Sequence, residues 1–250
     1  MKVILDAMGG DLAPEAAVLG ALDANRDFGA QVTLVGKSEE ILEILRKSGC
    51  NNLPEGMEIA GAEDVVDMHD DPSKVIHQRK NSSMVIGLRM LAQGQGDAFV
   101  SAGSTGALLT GATLLVKRIK GIRRASMGPA MPNKKGGSTV IVDCGANAEC
   151  TPEFLLQFGL VGSAYAKKRL GVENPKVGLL NIGTEDSKGT QLQKDAYALL
   201  TEASQKGLVN FVGNVEARDV PLGAVDVVVC DGFSGNVLLK TIEGTAMFMG

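Results

Sequence analysis

Apolar residues fall in short runs separated by longer amphipathic stretches. Lys2–Asp6 holds Val3-Ile4-Leu5 between polar ends and predicts a buried strand. Similar runs at Gln31–Gly36, Met57–Ala60, Asp97–Ala102, Ser138–Asp143, Lys176–Ile182, Val209–Gly213 and Val225–Asp231 predict further strands. Between them lie helical patterns: one opening at Pro14, which suits a first helical turn, then Ser38–Ser48, capped by Ser38 and closed by Gly49. Further helices are predicted over Ser73–Gln93, Gly103–Ile119, Pro152–Leu170, Thr190–Lys206 and Asn236–Met249. Strands built of unbroken Val, Ile and Leu are buried on both faces. Their alternation with helices predicts an α/β fold around a mostly parallel sheet. No internal repeat or Gly/Ser linker interrupts the pattern, so 1–250 is expected to be one domain. Asp64–Pro72 reads as a surface loop and Lys117–Gly137 as an excursion between two halves.

Composition narrows the function. The 250 residues are 44% hydrophobic and 22% charged, with a net charge of −4, an ordinary globular balance. An acidic chain argues against a nucleic-acid partner. Basic clusters at Lys117–Lys120, Arg123–Arg124 and Lys134–Lys135 read either as solvated loop charge or as a surface for an acidic partner. Cys50, Cys144, Cys150 and Cys230 form no C-x-x-C pair, which points to reduced thiols. The first residues run straight into a strand and no stretch of about 18 apolar residues occurs. A cytoplasmic location is therefore expected.

The 32 glycines cluster where strands end. Five such turns stand out: Asp6-Ala7-Met8-Gly9-Gly10-Asp11; Ser101-Ala102-Gly103-Ser104-Thr105-Gly106-Ala107; Asp143-Cys144-Gly145-Ala146-Asn147; Asn181 through Gly189; and Asp231-Gly232-Phe233-Ser234-Gly235-Asn236. Ligands of open α/β sheets collect at this end of the strands. Glycine lets a ligand approach backbone amides closely, and a helix N-terminus adds free N–H groups. The Gly103–Gly106 turn thus reads as an anion cradle, although ordinary strand-to-helix connections use the same residues.

Familiar signatures are missing. There is no G-x-G-x-x-G, no G-x-x-x-x-G-K-[ST] and no G-x-S-x-G; Gly232-Phe233-Ser234-Gly235-Asn236 only approaches the last. His69 and His77 are far in sequence from Ser104 and Ser234, against a serine triad. Cys144 and Cys150 read as small residues beneath a loop rather than nucleophiles. Asp67, Asp70 and Asp71 with His69 read as a solvated acidic loop rather than a metal site. No metal and no cofactor is expected.

Taken together, the five turns resemble one family, the PlsX phosphate acyltransferases. The resemblance runs over the whole chain and extends through Lys80-Asn81-Ser82-Ser83-Met84, Leu155-Leu156-Gln157-Phe158-Gly159, Gly178–Gly183, Phe211–Glu216 and Val229–Phe233 to Gly235-Asn236-Val237 and Leu239-Lys240. Two positions depart from the family pattern: Leu12 stands where a histidine is usual, and Ser104 where asparagine is usual. The family continues past the position of Gly250, so the chain is expected to lack its C-terminal segment.

The resemblance implies a three-layer α/β/α sandwich like that of phosphotransacetylases and isocitrate dehydrogenase, and a homodimer. It implies transfer of a long-chain fatty acyl group from acyl carrier protein to inorganic phosphate, giving an acyl phosphate for phospholipid synthesis. A downstream glycerol-3-phosphate acyltransferase and a peripheral place on the inner membrane face follow as expected partners. The residues suit this chemistry. Phosphate is already a nucleophile near neutral pH, so the protein has to position it and stabilise an oxyanion.

Lys188 is the expected catalytic cation, though it equally reads as a solvated loop lysine. Asn236 is the expected donor to the carbonyl oxygen, or else a helix cap. Phosphate is expected on the amides of Gly103–Gly106 and the hydroxyls of Ser104 and Thr105. Asp6, Asp11, Asn147 and Asp231 are expected to orient substrate, with Gly9, Gly10 and Asn181 in the binding turns. Arg79, Lys80, Lys117, Lys120, Arg123 and Arg124 are candidates for docking the acidic carrier. Ala246–Met249 reads as a membrane contact or as part of a dimer interface. Three rivals remain: a short-chain phosphotransacetylase using acyl-CoA, a decarboxylating dehydrogenase of related fold, and a non-catalytic scaffold.

Overall fold

The computed structural model describes residues 1–250 and divides them into two compact units, Met1–Arg118 and Ile119–Gly250, each built on its own sheet. In the first unit the strands are β1 (Lys2–Asp6), β2 (Gln31–Gly36), β3 (Met57–Gly61) and β4 (Ala98–Val100). They pair in the order β3-β2-β1-β4, all parallel, with Val3 beside Val32 and Ala98. Helices α1 (Glu15–Phe28) and α2 (Ser38–Lys47) cover one face, where Val18, Ala21, Ile41 and Leu45 pack on Val32 and Leu34. The short α3 (Val75–Gln78) precedes α4 (Ser83–Ala92), whose Ile86, Met90 and Leu91 pack with Ile4 and Val35 on the other face. Alternate residues of one strand therefore serve opposite faces, as the pleat requires.

The second unit repeats the design. Strands β5 (Ala130–Pro132), β6 (Ser138–Val142), β7 (Lys176–Asn181), β8 (Asn210–Glu216) and β9 (Val227–Val229) lie in the order β5-β6-β9-β7-β8, with only β5 antiparallel. Val140, Val142, Val227 and Val229 face α6 (Pro152–Arg169) and α7 (Gln191–Gln205), meeting Leu155, Phe158, Ala196 and Leu200. Ile141 and Val228 face the other way, toward Leu238 and Ile242 of α8 (Gly232–Met249). Gly162 of α6 rests on β9: a Cβ there would lie 2.6 Å from Val227 Cγ1. Each fully buried Leu or Phe in these layers contributes about 1.5–3 kcal/mol through removal of apolar surface from water.

The three-layer arrangement matches the expected fold class, with two differences of organisation. The single sheet expected from sequence is two sheets, because apolar patterning reports that a strand is buried and not which strand it pairs with. The five turns consequently belong to two sheet edges. The helix expected over Ser73–Gln93 breaks at Arg79–Ser82, where the Arg79 guanidinium binds Asp64 and Asp70 and Ser82 caps α4 by accepting from the Val85 N–H.

The apolar helix after Gly103 is α5 (Thr105–Gly111), widening into a π-turn over Ala112–Val116 and stopping at Lys117, which has a left-handed φ of 73°. Lys37 rather than Ser38 is the cap position of α2. The last helix starts at Gly232, four residues before the position expected from sequence.

Candidate active site

In the first unit the glycine turns after β1 and β4 are held by one buried carboxylate. Asp6, at the end of β1, is 2% exposed. It accepts from the Met8 N–H at 3.2 Å and the Ser101 hydroxyl at 2.8 Å, and Ser101 Oγ in turn accepts from the Gly103 N–H at 3.1 Å. This chain of bonds ties the turn after β1 to the turn after β4. Gly9 lies between them, where a Cβ would sit 2.6 Å from Asp6 Oδ2 and 2.9 Å from the Gly103 nitrogen. Gly10 has a φ of +106°, a conformation L side chains rarely adopt.

Asp6, Gly9, Gly10, Asp11, Ser101 and Ala102 line a cavity of about 500 Å³ that has no basic side chain in its walls. Asp6 and Asp11 thus share this wall with no cation beside them, and Asp6 orients the turn through its bonds to Met8 and Ser101.

The Gly103–Gly106 segment is only in part the cradle expected. The Gly103 N–H is already bonded to Ser101, and Ser104 is buried with its hydroxyl accepting from the Ala107 N–H at 3.4 Å as the cap of α5. The hydroxyl proton of Ser104 remains available as a donor. Thr105 and Gly106 are exposed in the first helical turn, the position where backbone N–H groups lack intrahelical partners.

The second unit carries the corresponding carboxylate at the end of β6. Asp143 has no exposed surface. One oxygen accepts from the Met127 N–H at 2.8 Å and the Ala146 N–H at 3.3 Å; the other accepts from the Asn147 N–H at 2.7 Å and Asn147 Nδ2 at 2.9 Å. Asn147 Nδ2 also donates to the Ala125 carbonyl, and its own carbonyl accepts from the Gly232 N–H at 2.8 Å. Asn147 is thus a brace between turns, with its donors already engaged. Asp231 caps α8, accepting from the Ser234 N–H at 2.8 Å and the Ser234 hydroxyl at 2.9 Å.

Asn236 is therefore not a cap: it lies one turn into α8, exposed, with Oδ1 3.7 Å from where a Cβ on Gly145 would be.

The loop after β7 presents Lys188. Asn181 Nδ2 donates to the Lys188 carbonyl at 3.1 Å, and Asn181 Oδ1 accepts from the Ile182 N–H at 2.8 Å. The Lys188 N–H donates to Glu185, whose carbonyl also accepts from Asn214 Nδ2 at 2.7 Å. The backbone of Lys188 is anchored at both ends while its side chain is exposed. Asn181 and Asp231 are brought together on the wall of one cavity of about 700 Å³. Lys188 and Asn236 adjoin that wall through their chain neighbours Gly189 and Val237.

Asp143 and Asn214 were not singled out by sequence reasoning. Asp143 stands in the sequence as the first residue of a glycine turn, and Asn214 only within the Phe211–Glu216 stretch that carries the resemblance, one residue past the expected strand Val209–Gly213.

The thiols behave as packing groups. Burial first, and then Asp143, pushes the Cys144 thiol up to about 12; burial pushes Cys150 up to about 11 and Cys230 well above the ordinary thiol range. Cys230 donates to the Asp143 carbonyl. In the acidic loop, Asp70 is held below the usual carboxylate range by the Arg79 guanidinium, and Asp71 by Ser73 and Lys74. This use of Arg79 removes it from the free cations available to a carrier protein.

The fold is shared with a phosphotransacetylase from Streptococcus pyogenes, at a TM-score of 0.74 and 22% identity over 99% of this chain and 82% of that one. EutD phosphotransacetylase from Staphylococcus aureus follows at 0.70 and 19%, over 98% of this chain and 82% of that one. The fold class is thus that of the phosphotransacetylases. The family described as "Fatty acid synthesis protein" matches residues 1–250.

A phosphate acyltransferase from Acetivibrio thermocellus is 49% identical over 249 residues, which are 99% of this chain and 71% of that protein. One from Bacillus cereus is 45% identical over 248 residues, covering 99% and 72%. The chain belongs to this family, the phosphate acyltransferases of fatty acid and phospholipid synthesis.

Proposed function

We propose that the chain moves a long-chain fatty acyl group from acyl carrier protein to inorganic phosphate, with Lys188 and Asn236 as its catalytic residues. The observation that supports this most is the loop after β7, whose bonds to Asn181 fix the Lys188 backbone and leave its side chain exposed. A phosphate oxygen attacks the thioester carbonyl carbon. The carbonyl π electrons move to oxygen, then return as the C–S bond breaks and the thiolate leaves on the carrier. The Lys188 ammonium draws phosphate in and offsets its charge, and Asn236 Nδ2 donates to the transient oxyanion, which is negative only in the transition region. Such chemistry requires no nucleophilic side chain, in keeping with thiols that stay protonated near neutral pH.

Phosphate binding is proposed at the exposed first turn of α5, on Thr105, Gly106 and the Ser104 hydroxyl. The remaining candidates for carrier docking are Lys80 and Lys117 in the first unit and Lys120, Arg123 and Arg124 in the second. Residues 1–250 are read as one acyltransferase domain, acting as a homodimer in the cytoplasm and at the membrane surface. No helix is long and apolar enough to cross a membrane. Met247, Phe248 and Met249, which are 84%, 90% and 80% exposed, supply an apolar tip for membrane contact. Flotation with anionic vesicles tests that tip: binding unchanged after replacing all three by Ser removes it.

The rival reading, transfer from short acyl-CoA, draws on the phosphotransacetylase fold. Acyl phosphate formation from palmitoyl-carrier and from acetyl-CoA decides between them. A clear preference for the carrier substrate supports the proposal, and a preference for acetyl-CoA overturns it.

A further inference from the structure

We infer that the cavity between α8 and the end of β7 receives the hydrocarbon tail of the acyl substrate. This rests on the acyltransfer reading above and adds where the tail lies. The cavity, about 700 Å³, falls within the range of small-molecule sites. Its apolar wall is formed by Leu180, Ile182, Phe233, Val237 and Leu238. Three of these side chains stand largely in water, Ile182 at 80%, Phe233 at 67% and Val237 at 51% exposed. Phe233 and Val237 are four residues apart on one face of α8, so they present a continuous stripe toward Ile182.

Charge selects the ligand class. No Lys or Arg lines the cavity, and its one carboxylate, Asp231, disfavours a phosphate or other anion. A neutral chain meets no such opposition. The lining also reaches the residues of the proposed chemistry: Asn181 binds the Lys188 carbonyl and Gly189 follows Lys188 in the chain, while Ser234 and Val237 stand on either side of Asn236 along α8. A thioester held by Lys188 and Asn236 would thus have its tail directed along this apolar wall.

Dodecyl phosphate and butyl phosphate are suitable probes, since neither turns over. Calorimetry on the full chain, below the micelle threshold, compares wild type with Ile182→Asp and Val237→Asp; both positions are exposed enough to accept a charge without unfolding, which circular dichroism verifies. Burial of a methylene is worth about fourfold in affinity, so wild type is expected to prefer the dodecyl probe by at least about 100-fold. Each Asp variant is expected to reduce that preference at least about tenfold. Folded variants that keep the wild-type ratio overturn the tail site, as does a change in sedimentation without a change in ratio, which would assign the wall to a second copy of the chain. A wild type that prefers the dodecyl probe but forms no acyl phosphate from any donor leaves the tail site standing and sinks the acyltransfer reading instead.

Discussion

The two units use one device for different ends. In each, a strand leads into a buried aspartate whose carboxylate binds its own turn and one neighbouring segment: Asp6 with two donors, Asp143 with four. Around Asp6 the surroundings are glycine, alanine and serine, with no cation in the cavity wall. Around Asp143 the frame extends through Asn147 to α8 and the turn that carries Asn236, while the neighbouring loop presents Lys188. The lesson is that a conspicuous acidic residue in a glycine turn need not touch substrate. It can instead hold the backbone still by accepting from the N–H groups of its own turn.

The sharpest way to break this division is Lys188→Ala. Turnover is expected to fall roughly 10²–10³-fold, with the thermal midpoint unchanged, as expected for a residue acting through its charge alone. Comparable kcat in the variant would remove Lys188 from the mechanism. Gly235→Ala probes the frame rather than the chemistry. A Cβ there would overlap the Asp143 carbonyl oxygen, a backbone atom that cannot swing aside. A loss of about 3 kcal/mol is expected in urea titration.

The comparison between the two aspartates comes next. Asp143→Asn turns an acceptor of four bonds into a group with a donor facing N–H partners, at a cost of about 2–3 kcal/mol, whereas Asp6→Asn is expected to lose only about 1 kcal/mol. Equal losses would show that the two frames are equivalent after all.

The smallest effect is expected at Cys150. Its thiol, raised from 9.0 to about 11, holds about 100-fold less thiolate than an ordinary cysteine near neutral pH. Greater intrinsic nucleophilicity recovers part of this, so reaction with a disulfide reagent should be about tenfold slower than for free cysteine. Cys150→Ser should keep near-normal turnover. The same shift sets a sign for stability. A thiol whose folded pKa is raised binds a proton that the unfolded chain has released above pH 9, so its contribution is intact below about pH 9 and declines between about 9 and 11.

Much of the fold was legible because its signals are local. Val3-Ile4-Leu5 and Val227-Val228-Val229 announce strands buried on both faces, and Pro152 announces a helix start. The split into two sheets was not legible, since nothing in Val100 or Ser138 names its neighbour. The start of α8 was hidden for a related reason: Gly232 and Gly235 lower helix propensity, and only the close approach of Gly232 to the Asn147 backbone and of Gly235 to Asp143 explains their presence. The glycine turns do stand at the ends of β1, β4, β6, β7 and β9, as their spacing in the sequence indicates. The engagement of the Gly103 amide by Ser101 and of Asn147 by Asp143 depends on contacts between distant turns, which no spacing reveals.

The four bonds to Asp143 also carry a consequence in time. The amide hydrogens of Met127, Ala146 and Asn147 share one acceptor group, so none opens alone without leaving a buried charge short of a partner. They should exchange with solvent together, at the slow rate set by opening of the surrounding unit. The turn after β6 then behaves as a single kinetic element, rigid over the lifetime of a catalytic cycle even though it is, by its sequence, a run of small residues in a loop.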